Sequence, residues 1–166
     1  VTAELDEFLA RLDAVGPALG RAEATGAAPG ALTEPDPGGE ERWDVGQVWA
    51  HLAEFVPYWI DEARKVADPA RPEPVPFGRV KTDAGRIAAI ADRRGEPLGV
   101  LAGKVADDVE ELRIFLHELD EQPGLWVRRG LHSKLGEMTM TRIVEEFLVG
   151  HVEEHARQLE GLFPPA

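Results

Sequence analysis

Residues 141–163, TRIVEEFLVGHVEEHARQLEGLF, decide how the rest of the chain is read. Val144, Leu148, His151, His155, Leu159 and Leu162 recur at steps of four, three, four, four and three. That spacing puts all six on one face of an α-helix. Two of the chain's five histidines therefore occupy seam positions where leucine would otherwise stand. Glu153, Glu154 and Arg157 are expected on the solvent face. The helix is predicted from Thr139 or Thr141 to about Phe163, where "PPA" stops it.

Working outward, the same period appears three more times. From about Thr2 to Ala24 the stripe is Leu5, Phe8, Leu12, Val15 and Leu19. The segment "WDVGQVWAHLAEF" (43–55) opens a second helix. Asp44 serves as its cap and Gln47 as the capping-box partner, with Trp43 just outside. Its stripe is Val45, Val48, Leu52, Phe55, Trp59, Ala63 and Val66, and Pro57 predicts a kink within it rather than a stop. The third long helix starts near Glu96 and Pro97 and carries Leu101, Val105, Val109, Leu112, Leu116 and Leu119 until "EQPG" ends it. A short extra helix, Asp83 to Arg93 with Thr82 as cap, precedes it. The stretches "TGAAPGALTEPDPGGEER" (25–42) and "ADPARPEPVPFG" (67–78) are too rich in Gly and Pro for regular structure. "LWVRRGL" (125–131) reads as extended but stands alone. The prediction is an all-α single domain over residues 1–166. It is a four-helix bundle with long loops, each main helix about 30 Å long.

Composition narrows the function. With 31 Asp and Glu against 18 Lys and Arg, the formal net charge is −13. No basic surface is available in bulk for a nucleic acid or an anionic membrane. The chain has no cysteine, which removes disulfides, thiolate nucleophiles and Cys-ligated metals. No apolar run reaches the 18 or so residues of a membrane span. The first residues, "VTAELDEFLARL", are acidic and amphipathic, unlike a secretory leader, so a cytoplasmic location is expected.

Two readings stand for His151 and His155: hydrogen-bonded core histidines, or two donors of a metal site. Buried imidazoles need partners, and two in one turn repel if both are charged. As neutral rings each offers a lone pair, and this spacing aims both at one point, as in helical zinc sites. A third donor is then required. His51, between Val48 and Leu52, is the best placed, by a modest axial offset if the second and last helices run the same way. His117 with Glu121, in "HELDE", is the competitor. Its place near the end of the third helix favours a surface role there. His132 either caps a turn or reaches the site mouth. Gln47, Glu54 and Tyr58 border the seam as a solvated flank, or as a base or partner for an imidazole N–H.

The 43–55 segment and "GLHSKLGEMTMTRIVEEFLVGHVEEHARQL" (130–159) together resemble the DinB-like superfamily. The points of likeness are a tryptophan before a capped helix with His-Leu, and a Gly-containing loop, a Thr-started helix and HxxxH before Gln-Leu. The resemblance covers nearly the whole chain, more loosely in the first helix and the loops. The long 25–43 loop and the Pro-rich 68–76 loop depart from it. It implies a four-helix bundle, often a homodimer, holding a divalent metal through His51, His151 and His155, with zinc or nickel the leading choices. It further implies a small-molecule substrate and metal-dependent S-transfer from a low-molecular-weight thiol such as bacillithiol or mycothiol as co-substrate. A metal-dependent hydrolase, or a bundle whose metal only holds helices together, are the alternatives. With imidazoles of ordinary pKa, metal-dependent stabilisation is expected above about pH 7 and to fade through roughly pH 6 to 5.

Overall fold

Thr2, Asp44 and Thr139 each turn a side-chain oxygen onto the backbone N–H three residues ahead, and these bonds start three helices. The computed structural model describes residues 2–35 and 40–165. Helix α1 spans Ala3–Thr25 and α2 spans Val45–Ala67. Strand β1 is Val75–Phe77. Helix α3, Ala84–Arg93, is capped by Asp83 rather than Thr82, its carboxylate accepting from Arg86 N at 2.9 Å. Helix α4 is Leu98–Glu121. A 3₁₀ turn, Pro123–Val127, leads into β2, Arg129–His132, and β3, Gly136–Thr139. The last helix consists of α5, Met140–Val144, a π-helical turn, Glu145–Val149, and α6, Gly150–Glu160. Helix α2 carries the expected capping box, with Asp44 and Gln47 exchanging side-chain bonds of 2.8 and 3.0 Å. It continues through Pro57, so the proline does not stop it.

The four long helices form a closed ring of neighbours, α1 beside α4, α4 beside α2, α2 beside α6, and α6 beside α1. Their apolar stripes meet in one core. Every α1 and α4 stripe position read from the sequence is buried, as are Val48, Leu52, Phe55, Trp59, Ala63 and Val66 of α2. Val45 is only partly buried. On the last helix Glu153 departs from the expected solvent face. Arg11 of α1 draws it in, with a bond of 2.7 Å to its carboxylate. No helix among the described residues is long and apolar enough to cross a membrane.

Helices α2 and α6 run antiparallel, which corrects the parallel arrangement considered from the sequence. As α2 advances from His51 to Phe55 to Trp59, its ring partners step back from His155 to His151 to Phe147. The early part of α2 thus meets the later part of the last helix, and no axial offset is needed.

The helical bundle carries one addition. Strands β1, β2 and β3 form a small sheet, parallel between β1 and β2 and antiparallel between β2 and β3. "LWVRRGL" therefore does not stand alone: Gly130 pairs with Val75 and with Met138. Strands of three and four residues are too short to show a period, and their pairing is long-range. Phe77 lies so close over Gly130 that a Cβ there would meet its ring at 2.6 Å. At the end of β1, Gly78 takes φ +81° against Trp59 and His132, a turn that only glycine makes without strain.

The π turn fits one residue type. Gly150 donates its N–H to Glu145 O across five residues, and a Cβ on Gly150 would lie 2.4 Å from that carbonyl. Glycine to alanine inside a helix usually stabilises by about 0.5–1 kcal/mol. Here the sign reverses. Gly150→Ala is expected to cost about 1–3 kcal/mol in urea unfolding, because the carbonyl must be pushed aside.

Candidate metal centre

His51 stands two turns into α2 and is 2% exposed; His155 is 5% exposed on α6. His151 is half-buried, one edge open to a cavity. The antiparallel crossing brings the three rings together. His51 Nε2 lies 3.1 Å from His151 Nε2, which lies 2.7 Å from His155 Nε2. Donor atoms of the three residues all fall within 4.8 Å of one another. Metal–nitrogen bonds of about 2.0–2.1 Å at tetrahedral angles place donor nitrogens about 3.3–3.4 Å apart. The set therefore fits a divalent ion after shifts of a few tenths of an ångström.

The far side of each ring shows a second regularity. Each Nδ1 faces the residue three positions further along its own helix, one turn away. His155 Nδ1 donates to Gln158 Oε1 at 2.6 Å. His151 Nδ1 is 3.7 Å from Glu154 Oε2, and His51 Nδ1 is 3.9 Å from Glu54 Oε2. A ring whose Nδ1 carries the proton presents a lone pair at Nε2. Two such lone pairs 2.7 Å apart repel unless a cation or a proton lies between them. His51 Nδ1 and Glu54 Oε2 are both buried with no hydrogen-bond partner, although they face each other. Closing that gap would give the carboxylate–imidazole pairing that orients metal-ligating histidines.

The electrostatics keep the rings neutral. Burial lowers the pKa of His51 well below the ordinary imidazole value, helped by His155, His151, Arg86 and Arg79. Burial does the same for His151, with His155, Arg86 and Lys81 adding to it. Neutral rings are the form that binds metal.

Above the rings lies a cavity of about 270 Å³. Trp43, Phe55, Trp59 and Phe147 wall it. Phe55 stacks on His151 at 3.7 Å, and Trp59 on Phe147 at 4.0 Å. Trp43 sits over His51 and His155, at 5.0 and 6.2 Å between centroids. It is held there by two bonds to Thr33, of 2.8 and 3.0 Å, across the long loop before α2. Residues 36–39 of that loop lie outside the described residues. Arg79, Lys81 and Arg86 line the opposite rim.

The other residues singled out in the sequence divide. His117 is exposed on α4, as is Glu121, and α4 does not neighbour α6 in the ring of helices. His132 is buried but structural. Its Nδ1 accepts from the Lys134 and Leu135 backbone at 3.2 Å, so Nε2 carries the proton and donates to Arg79 O at 3.1 Å. It therefore caps the β2–β3 turn and anchors the rim. Glu54 is not on a solvated flank. Its side chain is 10% exposed and ion-paired with Arg79, whose guanidinium lies 3.8 Å over the Tyr58 ring. Burial pushes the Tyr58 phenol up to about 12, so it stays protonated at neutral pH. Gln47 is committed to the capping box. The sequence reading missed the cationic rim and the cover formed by Trp43. Trp43 was visible only as a tryptophan beside a cap.

No protein-family model and no curated protein matches the chain. Among solved structures, its fold is similar to that of YfiT from Bacillus subtilis, described as "a probable metal-dependent hydrolase with an unusual four-helix bundle topology". The match has a TM-score of 0.71 and 19% identity, and covers 98% of this chain and 87% of that one. The likeness is one of fold.

The lowered imidazole pKa values have a consequence for stability without metal. Below about pH 6.5 the unfolded chain takes up protons at His51 and His151 that the folded chain does not, so stability rises with pH through that window. As pH falls from 7 to 5.5 it should drop by up to about 1.4 kcal/mol per pH unit for each ring. Urea unfolding of metal-free protein should show His51→Asn losing less stability across this range than the native chain. His117→Gln should keep the native slope.

Proposed function

We propose that His51, His151 and His155 hold a divalent metal, zinc or nickel, and that the cavity above them is the active site of a metal-dependent S-transferase acting on a small molecule. The observation that carries this reading is the convergence of three buried imidazole Nε2 atoms at the floor of a cavity. Three protein donors are the set of a catalytic rather than a closed structural site. When bound, the metal supplies Lewis acidity that lowers the pKa of a thiol or water nucleophile.

The chain's own residues do the rest. Gln158 fixes the His155 ring, and Glu54 and Glu154 lie behind His51 and His151, so the lone pairs face inward. Trp43, Phe55, Trp59 and Phe147 exclude water and give an apolar surface for the substrate body. Within the site the carboxylates have other partners: Glu54 is ion-paired with Arg79 and Glu146 with Arg142. No side chain stands out as a general base for water. A thiol needs less help, because its pKa of about 8.5 is already close to neutral. This favours a low-molecular-weight thiol as nucleophile, in line with the resemblance to DinB-like proteins. Hydrolysis is the second reading, supported by the description of the YfiT neighbour.

Zinc or nickel binding, followed by competition with a chromophoric chelator, should fall by more than about 100-fold in His51→Ala, His151→Ala and His155→Ala, and stay unchanged in His117→Ala. Glu54→Gln should cost about 10–100-fold, the usual effect of losing a partner of a metal ligand. The His51 and His151 rings meet proton competition only well below the ordinary imidazole range. The metal-induced rise in melting temperature should therefore fade at lower pH, and more gradually near pH 6.5, than three ordinary imidazoles would give. Metal-loaded protein with bacillithiol, mycothiol or glutathione and an electrophile should consume thiol faster than His155→Ala does. Equal rates with all three thiols, together with turnover of p-nitrophenyl esters, would replace S-transfer by hydrolysis.

A further inference from the structure

We propose that the cavity over the three histidines selects a small anionic molecule with a planar, apolar body. Its acid group would sit on the rim formed by residues 79–86 and its body against the aromatic wall. The inference rests on the reading of this cavity as a small-molecule site, but not on the metal.

The rim is an exception within this chain. Acidic side chains outnumber basic ones 31 to 18 overall, yet Arg79, Lys81 and Arg86, from one eight-residue stretch, all line the cavity. Their placement is built. His132 Nε2 donates to Arg79 O at 3.1 Å, tying the stretch to the sheet. Glu54 and the Tyr58 ring hold the Arg79 side chain, which is 12% exposed. Arg86 Nη1 donates to Lys81 O at 3.0 Å, and its guanidinium lies 5.5 Å from the Trp43 ring centre. The two cationic positions are thus bound to each other and to the wall.

The carboxylates that also line the cavity are turned to other work. Glu146 accepts from Arg142 at 2.7 Å, Glu154 lies behind His151, and Glu41 is exposed at the mouth. An aromatic wall by itself would also suit a cation. Two guanidinium groups and an ammonium at its edge disfavour that occupant and favour an acid group, which arginine grips with paired N–H donors. The parallel Trp59 and Phe147 rings, 7° apart, offer flat surface to a planar body. A cavity of about 270 Å³ suits a compound of one ring and a short side chain better than a peptide.

The test uses three probes of one shape: benzoate, benzamide and benzamidine. Each is titrated into metal-free protein and followed by tryptophan fluorescence, since Trp43 and Trp59 line the cavity. Benzoate should bind about tenfold more tightly than benzamide, and benzamidine more weakly still. Lys81→Ala and Arg86→Ala, confirmed as folded by thermal melting, should each weaken benzoate by up to about tenfold and leave benzamide unchanged. Equal binding of the three probes, a preference for benzamidine, or no benzoate binding until metal is added would each overturn the proposal. Parallel titration with zinc reads the metal separately. A protein that prefers benzoate but binds no zinc would retain the anion site and lose the metal centre.

Discussion

Three imidazoles pressed against one another in a helical bundle constrain everything around them. Two imidazolium ions at this separation in a low-dielectric seam are prohibitively unfavourable, so the folded state holds His51 and His151 neutral. Neutral rings must divide their nitrogens. One carries a proton and needs an acceptor; the other carries a lone pair and needs a donor or a cation. Gln158, Glu154 and Glu54, each one turn beyond its histidine, face the outer nitrogens. The inner nitrogens are left facing one another. A bundle that only required filling would have used leucine at these positions.

That requirement reaches into the backbone. His151 and His155 arrive opposite His51 because α2 and α6 cross antiparallel, with Phe55 and Trp59 stacked on the preceding turns of the last helix. The π turn ends at Val149, immediately before Gly150 and His151, and inserts an extra residue into the helical ladder there. Such a turn loosens regular hydrogen bonding, and π turns recur at functional sites because they re-aim the side chains that follow. Gly150 lets the carbonyl of Glu145 approach closely enough for the turn to form.

The small sheet has a comparable purpose on the opposite wall. Gly78 turns the chain sharply after β1, pressed on Trp59 and His132, and its N–H donates to buried Glu62 at 2.6 Å. The chain then delivers Arg79 beside Glu54, and Lys81 and Arg86 beyond it. Thus a histidine that ligates nothing, His132, still shapes the site by fixing the segment that supplies its charge. The long loop before α2 contributes in the same way, with Thr33 pinning Trp43 above the rings.

The four amphipathic helices, the Asp44–Gln47 capping box and the place of His151 and His155 in the last helix's seam were legible from the sequence alone. They depend on spacing within one helix and on local bonds between residues three or four apart, and such interactions are written directly in residue order. His51 was legible as a partner only by its position beside a second seam. The direction in which α2 passes α6, the sheet pairing β1 with β2, and the burial of Glu54 under Arg79 were not. Each depends on two segments meeting across many residues, and that meeting is set by how the apolar faces of the whole bundle close. The sequence by itself determined that the chain makes helices and sets histidines into their buried faces. Only the tertiary structure decided that three of those rings share one point and that a cationic rim closes over them, because convergence belongs to helix packing and not to any single helix.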